Sequence, residues 1–171
     1  MAREMVCDVI VLGIDIGVTG AIAAVDARGT CSVADLPTLE IQGKRMVRRR
    51  IDARGLMDLV RQSVPPGEVA LALIEDVHTM PGQANSPQSQ GSLMHSRGVV
   101  ETVLELARLD VRAVQPATWK RWYGLIGSEK ADGIEKARAL YPLAESHLAR
   151  KKDHNRADAL LLAHFGQRTM T

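Results

Sequence analysis

Three acidic residues stand where predicted secondary-structure elements begin or end. Asp15 lies at the end of residues 9–16, a nearly unbroken apolar run that is typical of a strand buried on both faces. Glu75 closes a second such run, residues 69–74, and Asp158 lies in the first turn of a helix predicted for about residues 155–166. If the two strands are parallel neighbours, their carboxyl ends bring Asp15 and Glu75 together, and a last helix packed on the sheet would add Asp158.

Carboxylates gathered in one pocket repel one another, so their pKa values rise unless a cation joins them. Hard oxygen ligands suit Mg²⁺ or Mn²⁺. A pair of such ions can hold a phosphodiester, lower the pKa of an attacking water and stabilise the leaving 3′ oxygen. The three residues therefore predict metal-dependent phosphodiester hydrolysis, with two ions and no nucleophilic side chain.

Each acidic residue also has an ordinary structural explanation. Asp15 precedes a glycine turn, Glu75 could end a strand at the surface, and Asp158 could only favour a helix dipole. Their apolar neighbours favour a functional role, because a charge between Leu-Gly-Ile and a turn, or before Ala-Leu-Leu-Leu-Ala, is hard to bury without a partner.

The order of predicted elements indicates an α/β fold. Three short-turn strands predict an antiparallel meander, and two later strands separated by helices predict parallel additions. We expect a five-stranded mixed sheet flanked by helices, in one domain over residues 1–171. The predicted strands are residues 9–16, 21–25, 31–36, 69–74 and 110–115, with a long loop at 78–91 and helices after Asp52 and from 92, 116, 128 and 155.

Four segments resemble the motifs of the RuvC-type Holliday junction resolvases of the RNase H-like superfamily. They occur in order, at similar spacing and over nearly the whole chain, and the element order is that of the RNase H-like fold. The pattern is more similar to phage-like or otherwise divergent members than to the common bacterial ones. The segments are 12–20 (LGIDIGVTG), 73–77 (LIEDV), 115–120 with 127–130 (QPATWK and GSEK), and 153–163 (DHNRADALLLA).

The resemblance implies a set of site residues and partners. Asp15, Glu75 and Asp158 would be catalytic metal ligands for Mg²⁺ or Mn²⁺, and Lys120 and Lys130 would contact phosphate. It also implies a homodimer, since a four-way junction is cut symmetrically by two active sites.

Two positions depart from the family pattern. The family's fourth ligand stands three residues before the last Asp, which here is Asn155, with His154 and Asp153 beside it. We predict Asp153 as the fourth acidic ligand, and a helix cap is its alternative role. His154 lies one helical turn before Asp158, so these two side chains could share a face instead. His78 occupies the position where many bacterial members carry an aromatic residue used against junction bases, and it is a candidate DNA contact.

Basic residues are clustered although the formal net charge is only +2. One cluster, without acidic residues, is predicted to be an exposed loop that grips DNA arms by neutralising phosphates; a solvated loop without a partner is the alternative. Its members are Lys44, Arg45, Arg48, Arg49 and Arg50.

Composition excludes several other classes of protein. No apolar run approaches the roughly 20 residues of a membrane span, so we expect no membrane association. The two cysteines form no metal-binding pattern, which favours a reduced, cytoplasmic protein. Aromatic residues make up 3% of the chain, so we expect base stacking to contribute little to DNA binding.

The function expected from these observations is a structure-selective endodeoxyribonuclease that resolves four-way DNA junctions. A nuclease of the same fold that prefers flaps or other branched DNA is one alternative. A non-catalytic junction-binding protein is another. A third is a phosphate-binding fragment of an actin- or sugar-kinase-like ATPase, in which a strand also ends in Asp-x-Gly-x-Thr-Gly; the length of 171 residues argues against it.

Overall fold

The computed structural model describes residues 8–43, 47–77 and 86–171. It contains seven strands and five α-helices in this described part of the chain. The strands are β1 (Val9–Asp15), β2 (Ala21–Val25), β3 (Cys31–Asp35), β4 (Thr38–Ile41), β5 (Arg48–Ile51), β6 (Val69–Glu75) and β7 (Asp110–Val114). The helices are α1 (Ala53–Ser63), α2 (Pro87–Leu106), α3 (Pro116–Trp122), α4 (Lys130–Leu140) and α5 (His154–Thr169).

Five strands form one mixed sheet in the order β3-β2-β1-β6-β7. The pairs β1–β2 and β2–β3 are antiparallel, because tight turns connect them, whereas β1–β6 and β6–β7 are parallel and joined through helices. The predicted meander with two parallel additions is confirmed.

A separate two-stranded antiparallel hairpin, β4–β5, was not predicted. The expectation of a loop is therefore wrong for Arg48, Arg49 and Arg50, which form most of β5. Its register pairs Glu40 with Arg49 and Thr38 with Ile51, and only Ile51 of this strand is buried. Three consecutive arginines hide the apolar alternation that usually indicates a strand. Lys44 and Arg45 lie outside the described residues.

Two helix starts also differ from the predictions. Helix α2 begins at Pro87 and not at residue 92, because Ser86 caps it and Pro87 occupies the first turn, where a missing N–H costs nothing. Helix α4 is capped by Glu129 and not by Ser128, through a reciprocal bond from the Glu129 N–H to Asp132. The helix predicted after Asp52 is confirmed as α1, and the Asp52 side chain caps it by accepting from the Arg54 N–H. No described helix is long and apolar enough to span a bilayer.

The sheet is covered on both faces. Even-numbered residues of β1 and β6, such as Leu12 and Ile74, pack against α1 and α2. Odd-numbered residues, such as Val11 and Leu73, pack against α5 together with residues of α3 and α4. Each strand is therefore apolar on both sides, and a side chain's parity decides which helical layer it faces.

Helix α5 crosses β1 at very short range. A Cβ atom at Gly13 would overlap the carbonyl oxygen of Ala159 and the backbone of Ala163. The absence of a side chain at position 13 lets the helix backbone lie directly on the strand. Helix α5 is buried on most sides. Its packing and the contact with Gly13 together fix its position on the sheet.

Candidate active site

Strand register brings Asp15 and Glu75 to neighbouring positions. Ile14 and Ile74 are direct partners in the parallel β1–β6 pair, so the next residues, Asp15 and Glu75, end adjacent strands that lie about 4.8 Å apart. Both have odd numbers and therefore face the α5 side, as Val11 and Leu73 do. Gly20 closes the turn after β1, where a Cβ would overlap the carbonyl oxygen of Asp15.

Helix α5 supplies the third carboxylate. Asp158 precedes Ala159, the residue that contacts Gly13, and its Oδ1 lies under α4, 3.6 Å from where a Cβ on Gly133 would be. Burial, followed by the charges of Glu75 and Asp158, raises the pKa of Asp15 to about 8. Burial also raises the pKa values of Glu75 and Asp158. The three carboxylates predicted from sequence thus lie near enough to act on one another's ionisation.

Helix α3, which lies in the same layer as α5, holds Glu75 through a hydrogen bond. The Trp119 indole Nε1 donates a hydrogen bond of 3.0 Å to Glu75 Oε1. This bond and the charge of Lys120 partly offset the rise in the pKa of Glu75. Lys120 Nζ lies 5.1 Å from the centre of the Trp119 ring and also lowers the pKa values of Asp15 and Asp158. Trp119 was not among the site residues predicted from the sequence. A buried indole N–H needs a hydrogen-bond acceptor, and this requirement could have indicated a polar partner for Trp119.

Lys130 approaches the carboxylates from the start of α4. Its charge lowers the pKa values of Asp15 and Asp158. Lys130 Nζ lies 3.0 Å from His154 Nε2. Since an ammonium only donates, Nε2 accepts and Nδ1 carries the proton. That Nδ1 is buried without a hydrogen-bond partner in the described part of the chain. His154 Nε2 therefore holds the ammonium group of Lys130 in place.

Asp153, the predicted fourth ligand, does not join the three carboxylates. It is 3% exposed, and both its oxygens accept hydrogen bonds from Arg150, at 2.7 Å from Nη2 to Oδ1 and at 2.8 Å from the backbone N–H to Oδ2. The Arg150 side chain holds the pKa of Asp153 below its ordinary value. This carboxylate is already neutralised, and its observed contacts stabilise the turn before α5.

Asn155, which stands at the family's fourth-ligand position, is also engaged. Its Nδ2 donates to the backbone oxygen of Thr19 at 2.6 Å and to Thr19 Oγ1 at 3.3 Å. The amide thus ties the first turn of α5 to the turn that follows Asp15. This contact, between residues 136 positions apart, carries no local sequence signal.

The basic cluster lies beside this site. Arg48, Arg49 and Arg50 are exposed and line a groove that also contains Val18 and Thr19 of the turn after β1. Their role in DNA binding stays a prediction. Lys44, Arg45 and His78 lie outside the described residues.

The acidic site has the donor chemistry of a divalent-cation site but not its final geometry. Within residues 8–43, 47–77 and 86–171, no three His, Cys, Asp or Glu side chains are arranged to hold a metal ion as they stand. Asp15, Glu75 and Asp158 nonetheless offer hard oxygen donors at one edge. Burial, and after it the negative charges of Glu75 and Asp158, raises the pKa of Asp15, and a cation would compensate those charges. The residues present supply the kind of oxygen donors that Mg²⁺ and Mn²⁺ prefer.

Comparison with known proteins extends the description of the fold. No protein-family model and no curated protein matches the chain. The structure of T. thermophilus RuvC in complex with a Holliday junction substrate is similar, with a TM-score of 0.58 and 15% identity, covering 95% of this chain and 97% of that one. A second Thermus thermophilus RuvC structure has a TM-score of 0.51 and 19% identity, covering 93% and 95%. At this identity the likeness concerns the fold: the chain has the RNase H-like fold of the RuvC structures.

Proposed function

We propose that the protein is a structure-selective endodeoxyribonuclease that resolves four-way DNA junctions by hydrolysis of phosphodiester bonds. The observation that carries this proposal is the convergence of Asp15, Glu75 and Asp158 from β1, β6 and α5, beside Lys120 and Lys130. The fold shared with RuvC, one structure of which holds a Holliday junction, supports the choice of substrate. We place the whole chain in one nuclease domain that acts in the cytoplasm.

Each side chain has a distinct task in this proposal. Asp15, Glu75 and Asp158 hold divalent cations, probed as Mg²⁺ or Mn²⁺ and taken as two per site. Bound cations would lower the pKa of the attacking water and stabilise the departing 3′ oxygen. Lys120 and Lys130 bind non-bridging oxygens of the scissile phosphate and offset its charge. Trp119 and His154 position Glu75 and Lys130 through the hydrogen bonds described above.

We further propose that the active form is a homodimer. Two strands of a junction must be cut symmetrically, and one chain offers one set of three carboxylates in its described residues. Sedimentation analysis with and without junction DNA tests the oligomeric state, and a monomer on a cleaved junction would overturn it.

The nuclease proposal is tested by a cleavage assay on matched DNA substrates. A synthetic four-way junction, a flap and a linear duplex of the same sequence are incubated with Mg²⁺ or Mn²⁺. We expect the junction to be cleaved faster than the flap or the linear duplex. Asp15→Asn and Glu75→Gln should reduce it by at least about 100-fold while junction binding remains, because an oxygen ligand and not a DNA contact is altered. Asp58→Asn, an exposed change on α1, is the matched control.

The alternatives are separate outcomes of the same assay. Preferential cutting of the flap would assign the fold to another branched-DNA nuclease. Tight junction binding without nicking in either metal would indicate a binding module. ATP hydrolysis without DNA would favour the kinase-like reading and refute the nuclease.

A further inference from the structure

A groove of about 740 Å³ lies between the β4–β5 hairpin and the first half of α2. Arg48 and Arg50 belong to one wall, Gln88 and Ser92 belong to the other, and Thr19 lies where the groove meets the turn after β1. We call it the arginine groove. Because Asn155 of α5 is bonded to that same Thr19, one end of the groove lies at the catalytic edge of the sheet.

The charge of the arginine groove suits a polyanion. No acidic side chain belongs to its lining in the described residues. Arg49 pairs with Glu40 at 3.5 Å, and both side chains are 59% exposed, so this pair is weak and readily exchanged. Arg48 and Arg50 have no carboxylate partner within residues 8–43, 47–77 and 86–171. Two guanidinium groups are therefore available for phosphate oxygens.

The lining of the groove favours a single DNA strand over a duplex. Ile41 of β4 and Leu93 of α2 add apolar surface to the lining of the groove. Unpaired nucleotides present sugar and base faces to such surface, and guanidinium planes stack on bases where aromatic side chains are scarce.

We propose that the arginine groove holds an unpaired DNA strand that continues from the scissile phosphate. Arg48 and Arg50 contact its phosphates, Gln88 and Ser92 donate hydrogen bonds to it, and Ile41 and Leu93 pack against its sugars and bases. This inference rests on the proposed nuclease function. It adds that the enzyme grips DNA strands opened at the branch point, beside the site that cuts them.

The test measures DNA binding without cleavage. The full chain is titrated into fluorescein-labelled oligo(dT) and into a linear duplex in EDTA, and anisotropy is followed over a range of salt concentrations. Gln88→Glu introduces a negative charge into the groove, and Gln62→Glu makes the same change on the exposed face of α1. A glutamate in the first turn of α2 favours the helix dipole, so Gln88→Glu should fold normally, which a thermal melt verifies.

We expect Gln88→Glu to weaken oligo(dT) binding about 5- to 20-fold and Gln62→Glu to change it less than twofold, because charge repulsion acts within roughly one Debye length. Arg48→Ala should make the negative slope of log K against log salt shallower by about 0.7, the value for one phosphate of a single strand. Arg61→Ala, which removes an exposed arginine of α1, should leave the slope unchanged.

Equal effects of Gln88→Glu and Gln62→Glu, or an equal loss of duplex binding in Gln88→Glu, would overturn the proposal. The nuclease proposal fails separately. If the protein never nicks junctions but its binding of oligo(dT) is weakened by Gln88→Glu, the groove proposal stands and the nuclease proposal is refuted. If the Gln88→Glu variant nicks junctions at the wild-type rate and binds DNA with the wild-type affinity, the nuclease proposal stands and the groove proposal is refuted.

Discussion

The indole Nε1 of Trp119 and the carboxylate Oε1 of Glu75 are joined by a hydrogen bond of 3.0 Å. Trp119 is fully buried, so its indole cannot exchange this acceptor for water. The bond links α3 to the end of β6 and fixes one oxygen of Glu75, which leaves the other free for a ligand. A core residue thereby orients a side chain of the candidate active site.

Replacement of Trp119 by phenylalanine should slow junction cleavage by about 10- to 100-fold. A hydrogen bond to a charged group contributes about 1.5–3 kcal/mol, and its loss frees Glu75 to rotate. Single-turnover rates at saturating metal measure the effect. Trp122→Phe, on the same helix at 48% exposure, is the control and should cleave at nearly the wild-type rate. A lower melting temperature in Trp119→Phe without any change in rate would restrict Trp119 to packing.

The elevated pKa of Asp15 predicts how the metal-free protein responds to pH. The folded-state pKa of about 8 exceeds the ordinary value of 3.8, so between these pH values the folded protein holds a proton that the unfolded chain has released. The contribution of Asp15 to the free energy of unfolding therefore falls as pH rises from about 4 to about 8.

Asp15→Asn removes that dependence. In EDTA at pH 8.5 we expect the variant to melt several degrees above the wild type, since about 1 kcal/mol corresponds to roughly 2–4 °C in a chain of this size. The difference should shrink toward pH 4, and Mg²⁺ should stabilise only the wild type. Melting temperatures that differ equally at all pH values would contradict this account.

Gly13→Ala should both destabilise the protein and impair cleavage. The added Cβ would overlap Ala159, and overpacking of a tight contact costs about 1–3 kcal/mol. Helix α5 must move away from β1, and a shift of about 1 Å at Asp158 reduces the rate about 100-fold. Denaturant unfolding and cleavage rates measure the two effects.

Gly91→Ala is the matched control for Gly13→Ala. A Cβ at Gly91 meets open space, so alanine should stabilise helix α2 by about 0.5–1 kcal/mol. If both alanine variants are stabilised, α5 does not depend on the bare backbone of Gly13.

Asp153→Asn separates a structural role from metal binding. Asp153 is buried against Arg150, and its lowered pKa means that it stabilises the fold above its ordinary pKa and loses that contribution as pH falls through the lowered value. We expect the asparagine variant to lose about 1–3 kcal/mol at pH 7 and to keep the wild-type metal concentration for half-maximal cleavage. An unchanged melting temperature with a raised metal requirement would restore Asp153 as a fourth ligand.

Lys130→Ala should lower the cleavage rate about 100-fold, because an ammonium group near the scissile phosphate stabilises mainly the transition state. His154→Ala should have a smaller effect, about 10-fold, since Lys130 remains but is no longer held by Nε2. His154→Gln should recover part of the rate, as its amide oxygen can accept from Lys130. Lys136→Ala on the same helix is the control. No recovery with glutamine would contradict a positioning role.

Much of the fold could be predicted because its signals are local. Apolar runs at residues 9–16 and 69–74 bounded by polar turns indicate buried strands, and short turns indicate antiparallel pairing. The β4–β5 hairpin escaped prediction because Arg48, Arg49 and Arg50 interrupt the alternation that defines a strand. Its stability comes from cross-strand pairing and from the single buried Ile51.

The amino-acid sequence alone determined which residues carry acid chemistry and on which elements they stand, because periodicity and turn residues act over a few positions. It could not decide which acids meet. Asp153 and Asp158 are five residues apart, yet Asp153 is neutralised by Arg150, whereas the charge of Asp158 raises the pKa of Asp15. Only the tertiary structure makes this choice, because the close approach of α5 to Gly13 and the register of β1 with β6 depend on contacts between distant segments.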